Sequence, residues 1–151
     1  MSTRHDAATA LEALLRTVQP DWESAAVFAE NAGLLGQIVS RVALAQNGRA
    51  IRHLSAELTD DSVRVTAFFD DAVVDASFKE GALIVDLLPL RIASLRITAT
   101  QDTLADARVD PEQPLAVNVT LAEGRTLTLR GSGADDDPLT LFLPRLFELT
   151  T

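Results

Sequence analysis

At 151 residues the chain has the length of one domain, and its 47% apolar content supplies a real core and excludes a disordered class. Thirteen basic against 22 acidic residues leave a formal net charge of −9. That field repels phosphate backbones and anionic lipid heads, so neither nucleic acid nor a membrane surface is an expected partner.

There is no cysteine, which removes disulfides, thiolate metal sites, iron–sulfur clusters and cysteine nucleophiles. Residues 1–6 lack the charged-then-apolar order of a signal peptide. The longest apolar stretch, residues 81–95, is interrupted by Asp86, Pro89 and Arg91, and it is shorter than the ~20 residues that span a bilayer. A cytoplasmic protein is expected.

Residues 6–18 read as an amphipathic helix, because Leu11, Leu14, Leu15 and Val18 recur at helical spacing. Asp6 is suited to cap it and Pro20 to stop it. A second helix is expected over residues 21–31, with Trp22, Ala25, Ala26 and Ala29 on one face and Gly33 as terminator. Leu34, Leu35, Ile38, Val39 and Val42 keep helical spacing up to Asn47-Gly48. A strand over residues 37–46 competes, with Asn47-Gly48 as a hairpin turn. Ile38, Val39 and Val42 do not alternate, which favours the helix.

From residue 51 the period becomes two. Leu54, Ala56 and Leu58 alternate with Ser55 and Glu57; Val63, Val65 and Ala67 with Arg64 and Thr66; Val74, Ala76 and Phe78 with Asp75, Ser77 and Lys79. Turn residues separate these runs at residues 59–62, Asp70-Asp71 and Glu80-Gly81. Leu83, Val85 and Leu87 continue the pattern. Ile84 and Leu88 make this strand apolar on its other face as well, which reads as a strand covered on both sides. Pro89 interrupts the ladder and marks an edge or a bend. Beyond it, Leu90 and Ile92 sit at even positions but Leu95, Ile97 and Ala99 at odd ones. That change of parity at Ala93-Ser94 calls for a β-bulge or a strand break.

Residues 101–113 form a polar connection in which Arg108-Val109 is the one strand-like pair. Leu115, Val117, Val119 and Leu121 then form a hairpin with Leu127 and Leu129 across Ala122-Glu123-Gly124. A loop over residues 131–137 leads to a terminal segment. There Leu139, Phe142, Leu143, Leu146 and Phe147 fit a helix begun by Asp137 and Pro138, with Pro144 opposing it.

The fold expected is α+β: N-terminal helices in residues 1–48, packed on a mainly antiparallel, bent sheet of about six to eight strands in residues 50–133. A short C-terminal apolar segment, residues 138–149, helical or kinked, completes a single domain of residues 1–151.

Little here carries chemistry. The two histidines, His5 and His53, belong to no metal-binding spacing. The carboxylate groups Asp60-Asp61, Asp70-Asp71 and Asp135-Asp136-Asp137 fall at turns, where Asp bonds its own backbone, and none has calcium-loop spacing. Gly131-Ser132-Gly133 is followed by aspartates that would repel phosphate. Arg64, Arg91, Arg96 and Arg130 lie on strand faces, where two readings compete: gathering to hold one anion, or pairing with the aspartates of the sheet, which is favoured. No catalytic residue, metal or cofactor is assigned.

The function expected is therefore that of a non-catalytic interaction module: an adaptor, a chaperone-like protein or an inhibitor of a basic protein. Leu139, Phe142, Leu143, Leu146 and Phe147 are its candidate interface, to a protein partner or to a second copy in a homodimer. The alternative is a carrier holding an apolar small ligand between sheet and helices, with Ile84, Leu88, Leu90 and Ile92 lining the pocket. A third reading, a carboxylate enzyme, requires at least two of His53, Arg64, Asp75, Asp86 and Arg96 to share one cleft.

Overall fold

The computed structural model describes residues 3–18, 25–98, 115–131 and 137–150. Among them are four helices, α1 (Thr3–Val18), α2 (Ala26–Glu30), α3 (Leu34–Gln46) and α4 (Pro138–Leu149). Seven strands accompany them: β1 (His53–Leu58), β2 (Val63–Phe68), β3 (Ala72–Lys79), β4 (Ala82–Pro89), β5 (Ile92–Thr98), β6 (Leu115–Leu121) and β7 (Thr126–Gly131). The α+β class expected from the sequence holds, and every described strand pairing is antiparallel.

The single bent sheet does not hold. The strands form two sheets, ordered β1-β2-β3-β4 and β5-β6-β7. The chain divides into two compact units, Met1–Pro89 and Leu90–Thr151. The division falls where the sequence places its bend. Pro89 has no N–H to donate to a ladder, and β5 starts a new sheet three residues later.

In the first unit the helices cover one face of a four-stranded meander. α1 lies against α3 and β1, and α3 against β3 and β4. Leu11 and Leu15 of α1 are buried, with Ile38 and Val42 of α3 and Val65, Ala67, Val74 and Ala76 of the sheet. Leu14, expected in the same apolar stripe, lies at the exposed margin. α1 begins before Asp6, which sits in its first turn rather than capping it; there its charge meets the positive end of the helix dipole. In α2 the buried residue is Val27, not the alanines, and Ala26 and Ala29 are exposed. α3 is a helix, not a strand. Leu34, Ile38, Val39, Val42 and Ala43 are buried. Asn47 and Gly48 have φ of 51° and 77°, the same left-handed pair that a type I′ hairpin needs. Here the pair ends a helix, and Asn47 N–H donates to the Ala43 carbonyl.

In the second unit α4 lies on β7 and β5, and Leu139, Phe142 and Leu146 are buried, as are Val117, Val119, Leu121, Leu127 and Leu129. β5 and β6 pair Ile92 with Leu121 and then Ser94 with Thr120, a register shift at the place where the sequence changes parity. The terminal segment is helical despite Pro144 inside it. Its start is secured twice. Pro138 takes the first turn, where its missing N–H costs nothing, and the Asp137 carboxylate accepts from Leu139 N–H at 3.1 Å. Close packing enforces this cap: a Cβ at Gly131 would run into the Asp137 carboxylate and lie 3.0 Å from Leu139 Cβ.

The expected second-helix start at Asp21 and Trp22, the connection at residues 101–113 with Arg108-Val109, and the loop residues 132–136 lie outside the described residues. Among the described residues no helix is long and apolar enough to cross a membrane.

Two glycines test this packing in opposite directions. Gly131→Ala is expected to lose about 1–3 kcal/mol in urea denaturation, through overpacking and displacement of the cap. Gly36→Ala meets nothing within 4 Å and is expected to gain about 0.5–1 kcal/mol in the helix interior. Equal effects at the two sites would contradict the close approach at Gly131.

Candidate functional site

The residues that offer chemistry sit mostly on the face of the first sheet turned away from the helices. Leu54, Val65, Val74 and Val85 point to the helical core, so the alternate residues share the other face. Register then sets them in rows. Glu57, Arg64, Ser77 and Ile84 form one; Ser55, Thr66, Asp75 and Asp86 the next; His53, Phe68, Val73 and Leu88 the third.

Arg64 and Asp75, diagonal neighbours in adjacent rows, form a two-pronged ion pair. Arg64 Nε donates to Asp75 Oδ1 and Nη2 to Oδ2, each at 3.0 Å. Asp75 is only 6% exposed. The bidentate geometry is the strong form of such a pair, and both carboxylate oxygens are engaged in it. Asp86 lies directly across from Asp75 on β4, a like-charge arrangement that the Arg64 guanidinium offsets. His53 shares the face but sits one row along and two strands over, its ring 6.1 Å from that of Phe68. Arg96 lies on β5, in the second unit. Four of the five residues named for an enzyme thus share one face, and two of them, Arg64 and Asp75, build a brace within the sheet.

The paired carboxylates are used locally. Arg52 reaches Asp70 through Nε at 2.8 Å and Nη2 at 3.0 Å. The hydrogen bond and charge of Asp70 hold the Arg52 guanidinium's pKa above its ordinary value. Arg49 approaches Asp71 at 3.9 Å, and its guanidinium lies 5.7 Å over the Phe69 ring. The Asp70-Asp71 turn is thus clamped by two arginines from the segment between α3 and β1. Asp61 accepts from Thr59 Oγ1 at 3.0 Å, and Asp137 caps α4. Among the described residues no three His, Cys, Asp or Glu side chains gather as metal ligands.

Of the five residues expected to form an apolar interface, Leu139, Phe142 and Leu146 are buried under α4. Leu143 is half-buried and Phe147 is 49% exposed. Leu141, not singled out by the sequence pattern, is the most exposed large apolar residue of that helix. Of the four expected to line a pocket, Ile84 and Leu88 lie on the sheet face away from the helices, while Leu90 and Ile92 are buried residues of the second unit. Between helices and sheet, Leu15, Val42, Val65, Ala67 and Val74 have no accessible surface at all. A ligand-sized space would expose its lining, so the packing there argues against a carrier cavity.

The feature that sequence reasoning misread is β4. Its two apolar faces read as those of a strand covered on both sides. Instead β4 is the edge of its sheet, and none of its residues is buried. Ile84 is 56% exposed on one face and Leu87 49% on the other. The backbone has a defined polarity. Glu80 and Gly81 have φ of 54° and 79° and join Lys79 to Ala82, a two-residue type I′ turn whose flanking pair is hydrogen-bonded. Ala82, Ile84, Asp86 and Leu88 therefore bond inward to β3. The N–H and C=O groups of Leu83, Val85 and Leu87 point outward, where the sheet has no further strand among the described residues. Comparison with protein-family models, with curated proteins and with solved structures found no match.

The Arg64–Asp75 brace is testable by a double-mutant cycle. Arg64→Met is expected to cost about 2 kcal/mol in urea denaturation, toward the low side for a buried pair because Arg64 is partly exposed. Arg64→Met with Asp75→Asn recovers most of that loss. Simple additivity of the two single changes would contradict a coupled pair.

Proposed function

We propose that the protein is a non-catalytic interaction module that takes a protein partner along the open edge of β4. The observation that carries this reading is an eight-residue edge strand, apolar on both faces and nowhere buried, with the outward backbone groups of Leu83, Val85 and Leu87 unpaired by any described strand. Natural sheets blunt such edges with lysine, inward charges, bulges or a covering element. β4 carries one charge, Asp86, and its proline stands only at the end. An extended partner segment would gain main-chain hydrogen bonds along the edge and apolar contacts to Ile84 and Leu87.

The charged residues support the same reading. Arg64 and Arg52 are committed to neighbouring carboxylates, and Asp137 is committed to a helix cap, as befits a scaffold. The net charge of −9 makes the encounter salt-dependent, fast at low salt for a basic partner and slow for an acidic one.

Val85→Pro removes one outward N–H without touching the ladder to β3. It is expected to leave the fold intact by circular dichroism and to lower capture of partners from native extract at least tenfold. Capture unchanged by Val85→Pro and by Ile84→Lys, read by mass spectrometry at low and moderate salt, contradicts docking on β4.

A further inference from the structure

We infer that the strand which docks on β4 is β4 of a second copy of this chain, paired antiparallel about a two-fold axis through Ile84. The inference rests on the reading of β4 as a docking edge and names its occupant.

A two-fold that joins two edges antiparallel runs perpendicular to the sheet and keeps each face continuous. Residues of equal parity then oppose one another, so few registers exist. With the axis at Asp86, the two Asp86 carboxylates stand directly opposite, which destabilises the pair. With the axis at Val85, Asp86 faces Ile84 of the second copy, and the two carboxylates become diagonal neighbours about 7–8 Å apart.

With the axis at Ile84 the side chains match. Ile84, the most exposed large apolar residue of β4, meets Ile84 of the second copy. Leu83 meets Val85 of the second copy, and their outward backbone groups exchange hydrogen bonds, four across the joint by symmetry. Asp86 meets Ala82 of the second copy, the smallest side chain of the strand. Ala82 is itself paired with Lys79 on β3, and Lys79 is exposed on that same face. Asp86 of one copy and Lys79 of the other thus share a row about 10 Å apart at Cα, and the long lysine side chain reaches over Ala82 to the carboxylate. Lys79 is the one lysine in the sequence.

The joint makes one continuous sheet of eight strands from two of four. An edge of this length buries less than the ~800 Å² per partner of a standard interface. The equilibrium is therefore weak, with a dissociation constant on the order of 100 μM. Both copies are strongly acidic, so association strengthens as salt rises and screening shortens from about 30 Å to about 8 Å. A basic partner would show the opposite salt dependence.

The test uses the full chain, whose lack of cysteine makes single-cysteine variants unambiguous. Non-hydrogen-bonded pairs bring Cα atoms to about 4.5 Å, within disulfide range. Under mild oxidation at about 100 μM, Ile84→Cys is expected to form covalent dimer at least fivefold faster than Leu83→Cys, Val85→Cys or Leu87→Cys. Sedimentation equilibrium of the unmodified chain is expected to show reversible dimer that increases between about 10 and 150 mM salt. Lys79→Asp and Asp86→Lys are each expected to weaken dimerisation about tenfold, and the double exchange to restore it. Fastest crosslinking at Val85, or no restoration by the double exchange, overturns the register. A monomer at millimolar concentration overturns self-pairing. If that monomer still captures a partner that Val85→Pro releases, docking on β4 stands with a different occupant; if it captures none, both readings fall.

Discussion

Half of the backbone of β4 is bonded and half is not, and two residues decide which half. Glu80 and Gly81 hold positive φ, close a type I′ turn, and so lock Lys79 against Ala82. From that pair outward the polarity of every N–H and C=O on β4 follows. The helices cover one face of the sheet, the ladder to β3 covers one edge of the strand, and among the described residues no strand pairs with the other. Pro89 ends the ladder, and the following strand joins a different sheet. An unsatisfied edge is thus a consequence of topology, set by one tight turn and one proline.

The acidic character of the protein has a more ordinary origin. Aspartates stand in its turns because their side chains bond nearby backbone, and arginines hold several of them. Arg52 and Arg49 clamp the Asp70-Asp71 turn, while Arg64 neutralises the buried Asp75 beside Asp86. The Arg64–Asp75 pair does more than decorate a surface, since an unpaired carboxylate at that depth would be costly. The exposed Arg52–Asp70 pair contributes mainly to turn geometry. These groups position turns and strands.

Much of this fold was legible in the sequence, for identifiable physical reasons. Alternation located β1, β2, β3, β6 and β7 because each has one face on a core, while β4 and β5 showed as apolar runs between turn residues. The change of parity between Ile92 and Leu95 showed as a register shift because a bulge moves side chains from one face to the other. The Asn47-Gly48 pair was ambiguous because helix ends and hairpins use the same left-handed conformation. Two things were not legible. The separation into two sheets depends on which strands pair, and periodicity says nothing of pairing partners. The exposure of β4 was read in reverse, because an apolar pattern on both faces fits a strand covered twice and an edge left open equally well. The same limit applies at α4: Leu139, Phe142 and Leu146 are core and Phe147 is largely not, though all four share the same chemistry.

The central claim, that the outer edge of β4 is open in one chain and closed by another, is tested most directly by amide hydrogen exchange followed residue by residue at two protein concentrations. In dilute solution Ile84, Asp86 and Leu88 should be protected by β3, while Leu83, Val85 and Leu87 exchange freely. At millimolar concentration Leu83 and Val85 should gain protection while the inward amides change little. Protection of Leu83, Val85 and Leu87 already present in dilute solution would mean that the chain covers its own edge, and would contradict the account.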